Sequence, residues 1–168
     1  MAHAGDTRGG AATGPRRRPH IRVSALIMRG DTALLVRQSK GPQTYWLLPG
    51  GALELGETLE EAVYREVREE CSIGLTLRGP LGVVESISPD RGRSRHVVHF
   101  MYAATAAPNA EAVASDSAIL EVRWVTAQEV GSMVVHPPIV DLVTDWMTAL
   151  VAGGPLPPFV TAGARWVP

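Results

Sequence analysis

Cysteine occurs once in the 168-residue chain, as Cys71. No intrachain disulfide can form and no cysteine-built zinc site is spelled out, so a reducing, cytoplasmic setting is expected. Long hydrophobic runs are missing as well. No stretch approaches the roughly 18 consecutive apolar residues that a membrane-spanning helix needs, and the opening MAHAGDTRGGAATGPRRRPH has no apolar segment of the secretory type. Nor is there an excess of charge of one sign: 16 basic and 17 acidic side chains leave a formal net charge of -1. A global basic field of the kind that draws proteins to nucleic-acid polymers is thereby excluded. Lysine is almost absent, with Lys40 standing alone among arginines scattered along the chain, which we read as coding bias.

What remains is an ordinary globular composition, 45% hydrophobic and 20% charged, in a chain long enough for one real core. Residues 1–19 are rich in Gly, Ala, Pro and Arg and lack apolar periodicity, so a disordered tail is expected, with Arg16, Arg17 and Arg18 solvated. The domain is expected over 20–153, followed by a Gly- and Pro-rich extension over 154–168 that trails over the surface. IRVSALIM (21–28) and TALLVRQ (32–38) read as a hairpin around an RGD turn, and YWLL (45–48) as a short strand stopped by Pro49. TLEEAVYREVREEC (58–71) reads as a helix opened by a capping box, Thr58 with Glu61. Segments 81–87, 95–104 and 120–126 read as further strands. Thr126 and Glu129 form a second capping box, and a helix with proline at its start follows over 138–151. Strands, a helix, strands and a late helix predict a layered α/β or α+β domain.

The chemistry concentrates in PGGALELGETLEEAVYREVREECSI. At about 100° per residue, Glu66, Glu69 and Glu70 share an arc of about 100° on the last turns of the helix. Leu59, Ala62 and Val63 lie on the same side one or two turns earlier. Like charges at such spacings repel by roughly 0.2–0.5 kcal/mol per pair, and acids sit badly at the negative end of the helix dipole. A cation among them reverses the sign, and oxygen-only ligands select a hard ion, magnesium or manganese. A plain solvated face, with Arg65 and Arg68 pairing the acids, is the competing explanation. Pro49-Gly50-Gly51 weighs against it, because glycine lets a backbone carbonyl approach a ligand closely; Glu54 and Glu57 add further acids on the loop.

From Gly51 to Ile73 the sequence resembles the Nudix box, G-x5-E-x7-R-E-U-x-E-E-x-G-U with U a bulky aliphatic. Gly51 opens it, and Glu57, Arg65-Glu66, Val67, Glu69-Glu70 and Ile73 fill their places. Ser72 stands where the family carries glycine, which puts the shape of the helix end in question, with Gly74 a possible substitute terminator. The resemblance implies a mixed β-sheet sandwiched between α-helices and hydrolysis of a diphosphate bridge in a nucleotide-like small molecule. It implies Glu66, Glu69, Glu70 and the Gly50 carbonyl as ligands of Mg2+, with Mn2+ a possible substitute, and Arg65 and Glu57 as the groups that orient them. Glu66, Glu69, or the loop acids Glu111 and Asp116 are candidates for the base. Many proteins of that family pair as dimers.

Substrate choice is less legible. In the family a proline sixteen residues past the box goes with ADP-ribose hydrolysis, and Pro89 stands there; Arg91 occupies the place of a tyrosine associated with dinucleoside polyphosphates. ADP-ribose or another nucleotide sugar is therefore the first expectation and a nucleoside triphosphate, oxidised ones included, the second. Arg37 and Arg95 are the leading phosphate-binding candidates, with Arg91 and Arg93 behind them. His96 and His99, three apart on a strand, should face opposite ways and cannot share one metal. Trp46 and Trp124 are expected in the core. A nucleotide-sensing module on the same fold is the alternative of another class; it would be expected to have lost box acids, which are all present here. An isomerase would need a catalytic cysteine, and Cys71 lies inside the box.

Overall fold

A computed structural model of the chain describes residues 18–87, 96–151 and 154–165. Its elements are β1 (His20–Arg29), β2 (Thr32–Lys40), β3 (Gln43–Leu47), α1 (Leu59–Cys71), β4 (Thr76–Ile87) and β5 (His96–Thr105). β6 (Ile119–Thr126), α2 (Ala127–Val130), α3 (Val140–Leu150) and β7 (Val160–Arg165) complete it. The strands form one mixed sheet in the order β3-β2-β1-β5-β4-β7, with β6 paired to β2. β1 runs parallel to β5 and lies at the centre, which explains why its residues are buried on both faces and read as a continuous apolar run.

Alternation along β1 divides the core into two. Val23, Ala25 and Ile27 face α1 and meet Ala62, Val63, Val67 and Cys71. Leu26 and Met28 face the other way, toward Val143, Trp146, Met147 and Leu150 of α3. The sheet is thus sandwiched between helices, the expected fold class. Val63 and Val67 are fully buried and contribute about 1.5–3 kcal/mol each. That outweighs acid–acid repulsion of a few tenths per pair, so α1 is held in place by its apolar stripe. Among the described residues no helix is long and apolar enough to cross a membrane.

Two expectations about strands need correction. β4 begins at Thr76 rather than Leu81, although Gly79-Pro80 reads as a break. The register shifts on either side of this pair, between Leu77 and Gly79 and between Pro80 and Gly82, and such bulges are where a sheet tolerates proline. The segment after Gly153, expected to trail over the surface, instead supplies β7, which pairs in parallel with Gly82–Ile87. Gly82 makes this possible, since a side chain there would collide with the Val160 carbonyl. The tail expected over 1–19 lies, as far as residue 17, outside the described residues.

Candidate functional site

α1 starts as its sequence dictates. The Thr58 hydroxyl accepts from the Glu61 amide (3.2 Å) while the Glu61 carboxylate accepts from the Thr58 amide (2.7 Å). At the other end Ser72 itself adopts the left-handed conformation, φ 54°, that glycine would take without strain. Gly74 is not needed. A loop makes up for the strain: the Val113 amide donates to the Cys71 carbonyl (3.0 Å) and the Ser115 amide to that of Glu70 (3.2 Å). The Ser115 hydroxyl donates to the Glu69 carbonyl (2.7 Å) and receives the Ser72 hydroxyl (2.9 Å). Carbonyls that the helix leaves open are thus satisfied from outside.

Between β3 and α1 the chain folds back along β1, with Val23 donating to the Gly51 carbonyl and Ala25 to that of Pro49, both at 2.9 Å. Gly50 has φ 144° and lies so close to β1 that a side chain would strike the Val23 carbonyl. At Gly51 a side chain would strike the Glu66 carboxylate. The two glycines therefore bring the loop backbone against the acids of α1. The Gly50 amide donates to Glu70 Oε2 (2.8 Å), Gln38 Nε2 to Glu70 Oε1 (3.3 Å), and Arg22 Nη2 to the Gly50 carbonyl.

Glu70 is only 5% exposed. Burial pushes its carboxyl up to about 7, against the pull of the Gly50 hydrogen bond and the nearby Arg22 charge, with Glu66 and Asp116 pushing further upward. Arg65 grips Glu57 through two hydrogen bonds (2.7 and 3.1 Å), Glu66 through one (2.8 Å), and the Ala52 carbonyl (3.0 Å). Glu69 is more distant from it, at 3.4 Å. The hydrogen bonds to Glu57 hold the Arg65 guanidinium well above its ordinary range, and they lower Glu57 in turn, aided by the Glu54 amide. Burial drives the Cys71 thiol up to about 12, which removes it as a nucleophile.

The structure thus brings Gly50, Glu57, Arg65, Glu66, Glu69 and Glu70 together at one helix face and one loop. Among the described residues no three His, Cys, Asp or Glu side chains converge closely enough to hold a metal ion in this arrangement. Arg65 pairs with Glu66 at 2.8 Å, and Arg22 donates to the Gly50 carbonyl. Arg37 is half-exposed, pairs with Glu121 at 2.9 Å and lies over the Trp46 ring. Pro89, Arg91, Arg93 and Arg95 lie outside the described residues. Asp116 is close enough to act on Glu70, whereas Glu111 lines an open cleft past the end of α1, formed by Ser72–Thr76 and Thr105–Ala107. His96 pairs with Glu85 (2.6 Å), and His99, on the other face, pairs with Ser86 (3.0 Å) inside the protein. Trp46 and Trp124 are partly buried, packed against the α3-side and α1-side clusters respectively.

Two contacts escape sequence reasoning, Arg22 on the Gly50 carbonyl and Gln38 on Glu70. Gln38 had a faint signal: alternation on β2 sends it to the face opposite Arg37, the face that carries α1.

Known proteins with this architecture include a NUDIX hydrolase from Nitrosomonas europaea, 22% identical, with a TM-score of 0.72 over 90% of this chain and 81% of its own. Among curated relatives, an ADP-ribose pyrophosphatase of Methanocaldococcus jannaschii is 36% identical over 85 residues, 50% of this chain and 49% of that one. The NAD-capped RNA hydrolase NudC of Mycobacterium tuberculosis is 35% identical over 132 residues, 77% of this chain but 40% of that one. The chain therefore spans half or less of the length of these two relatives. The NUDIX domain profile matches residues 18–146, most of the chain and the whole of the carboxylate helix with its glycine loop. The chain belongs to the NUDIX family.

Proposed function

We propose that the protein is a Mg2+-dependent pyrophosphohydrolase that cuts the diphosphate linkage of a nucleoside diphosphate derivative. The observation that carries this is the buried Glu70 carboxylate, tied to the Gly50 amide beside Glu66 at the point where β1, the glycine loop and α1 meet. A carboxylate taken out of water with its pKa raised to about 7 is poorly compensated by its own protein. A divalent cation offsets exactly such a cost, and the donor set is all oxygen, which suits magnesium or manganese. Glu66, Glu69, Glu70 and the Gly50 carbonyl would hold the ion.

When bound, the cation supplies charge neutralisation at the diphosphate oxygens and acidifies the attacking water. The remaining work falls to side chains. Arg65, braced by Glu57, fixes the position of Glu66, so that the helix face presents its acids without searching rotamers. Water attacks phosphorus, the bridging P–O bond breaks, and the water proton passes to a carboxylate, Glu66, Glu69 or Asp116. A nucleoside monophosphate and a second phosphorylated fragment leave.

ADP-ribose or another nucleotide sugar is the substrate we favour. Pro89 has the spacing associated with that class, and one relative is named an ADP-ribose pyrophosphatase. The NudC relative is named a hydrolase of NAD-capped RNA, in keeping with a nucleoside diphosphate unit as the shared element. The test is a panel of ADP-ribose, sugar nucleotides, dinucleoside polyphosphates and nucleoside triphosphates with magnesium. Cleavage should be strongest for a nucleotide sugar, stop on chelation, and fall about 100-fold or more in Glu70→Gln. Parental rates in that variant would remove Glu70 from the ligand set, and cleavage of triphosphates alone would remove the nucleotide-sugar reading.

A further inference from the structure

We propose that Arg22 is a resident counter-cation that competes with the divalent ion for the Gly50 carbonyl and Glu70, and that it must give up this position before the ion binds. The inference rests on the ligand assignment proposed above. Arg22 sits on β1, paired in register with His99 of β5 and bridged to Ala52 of the glycine loop. Its guanidinium donates to the Gly50 carbonyl. The same charge acts on Glu70, whose carboxylate takes the amide of that very residue, Gly50.

The carbonyl cannot simply turn away from Arg22. Its peptide is held on both sides, because Pro49 and Gly51 accept hydrogen bonds from β1, and the Gly50 amide is committed to Glu70. A change of partner at Gly50 therefore requires the guanidinium to move. A magnesium ion at about 2.1 Å from the carbonyl oxygen and a guanidinium nitrogen at about 2.9 Å from it would set three positive charges within a few ångströms. That is unfavourable even at the high effective dielectric of a protein surface. Nor can the arm retreat inward. The cavity it lines with Ser24, Leu47, Leu48, His99 and the 135–137 strap measures about 10 Å³, room for one water and not for a guanidinium. Displacement must carry Arg22 outward, away from that cavity. Metal affinity in the absence of substrate is therefore set below what the carboxylates alone would give.

The test is Mn2+ binding to the full, metal-stripped chain, followed by electron paramagnetic resonance of the free ion, for the parent, Arg22→Met and Arg22→Lys. Arg22→Met should bind Mn2+ about fivefold or more tightly, while its metal-free form melts at a lower temperature because Glu70 has lost its counter-charge. Arg22→Lys, which keeps the charge but not the fork, should fall between. A purely structural role for Arg22 predicts the opposite sign, since a loosened loop binds metal less well. Unchanged or weaker Mn2+ affinity in a folded Arg22→Met overturns the proposal; if that variant does not fold, the same comparison with Arg22→Lys decides. Should the parent and variants all take up no Mn2+ at millimolar concentration, the ligand assignment itself is overturned, and this inference with it.

Discussion

Replacing Glu70 by glutamine should make the metal-free protein more stable at neutral and alkaline pH while cutting the proposed activity about 100-fold or more. In the folded chain the carboxyl titrates at about 7 instead of its ordinary 4.5, chiefly because it is buried. Between those values the folded state retains a proton that the unfolded chain has released, so stability falls as pH rises through this window. Two to three pKa units at about 1.4 kcal/mol each put the full penalty near 3 kcal/mol above pH 7. Glutamine is neutral and nearly isosteric, and its amide oxygen can still accept from the Gly50 amide. Urea unfolding in chelator should therefore find Glu70→Gln more stable by about 2–3 kcal/mol at pH 8, with the gap closing near pH 4.5. In thermal scans the same difference corresponds to a rise of about 5–10 °C for a chain of this size. Saturating Mn2+ should reverse the order, stabilising the parent and not the variant. A variant less stable at pH 8, or a difference that does not change with pH, would refute the account of Glu70 as a strained, ion-seeking carboxylate.

Arg65→Gln, which releases Glu57, Glu66 and the Ala52 carbonyl together, should lower kcat about 10- to 100-fold and raise the magnesium concentration needed for half-maximal rate. Identical magnesium titrations of the two proteins would show that Arg65 does not position the acids. At Ser72 the left-handed backbone and the hydroxyl act in opposite senses. Ser72→Ala should cost about 1 kcal/mol through the lost hydrogen bond, and Ser72→Gly should be the more stable of the two by relief of about 1 kcal/mol of strain; denaturant midpoints with the reverse ranking would contradict the reading of this helix end.

α1 was legible because everything that makes it is local. Thr58 and Glu61 cap it, Ala62, Val63 and Val67 give it a buried stripe, and the helical period places Glu66, Glu69 and Glu70 on neighbouring positions. The strands of the first hairpin and β5 were legible for the same reason, as apolar runs. β7 was not. Val160–Arg165 is built largely of small residues, and what makes it a strand is the edge offered by β4 together with the open backbone of Gly82, far away in sequence. The start of β4 was hidden by Gly79-Pro80, whose disruption is absorbed by bulges that exist only against β5.

The amino-acid order by itself determined the helix, its caps, its cluster of acids and the glycine loop before it, since these depend on spacing within a few turns of chain. Arg65 pairs with its acids locally, but whether Glu70 is buried and strained depended on groups that meet only when the sheet forms. Arg22 on the Gly50 carbonyl, Gln38 on Glu70 and the 113–115 loop over the end of α1 are all long-range contacts. Burial and Coulomb interactions act through space rather than along the chain, so the titration of Glu70 and the cation already beside it were decided by the tertiary structure alone.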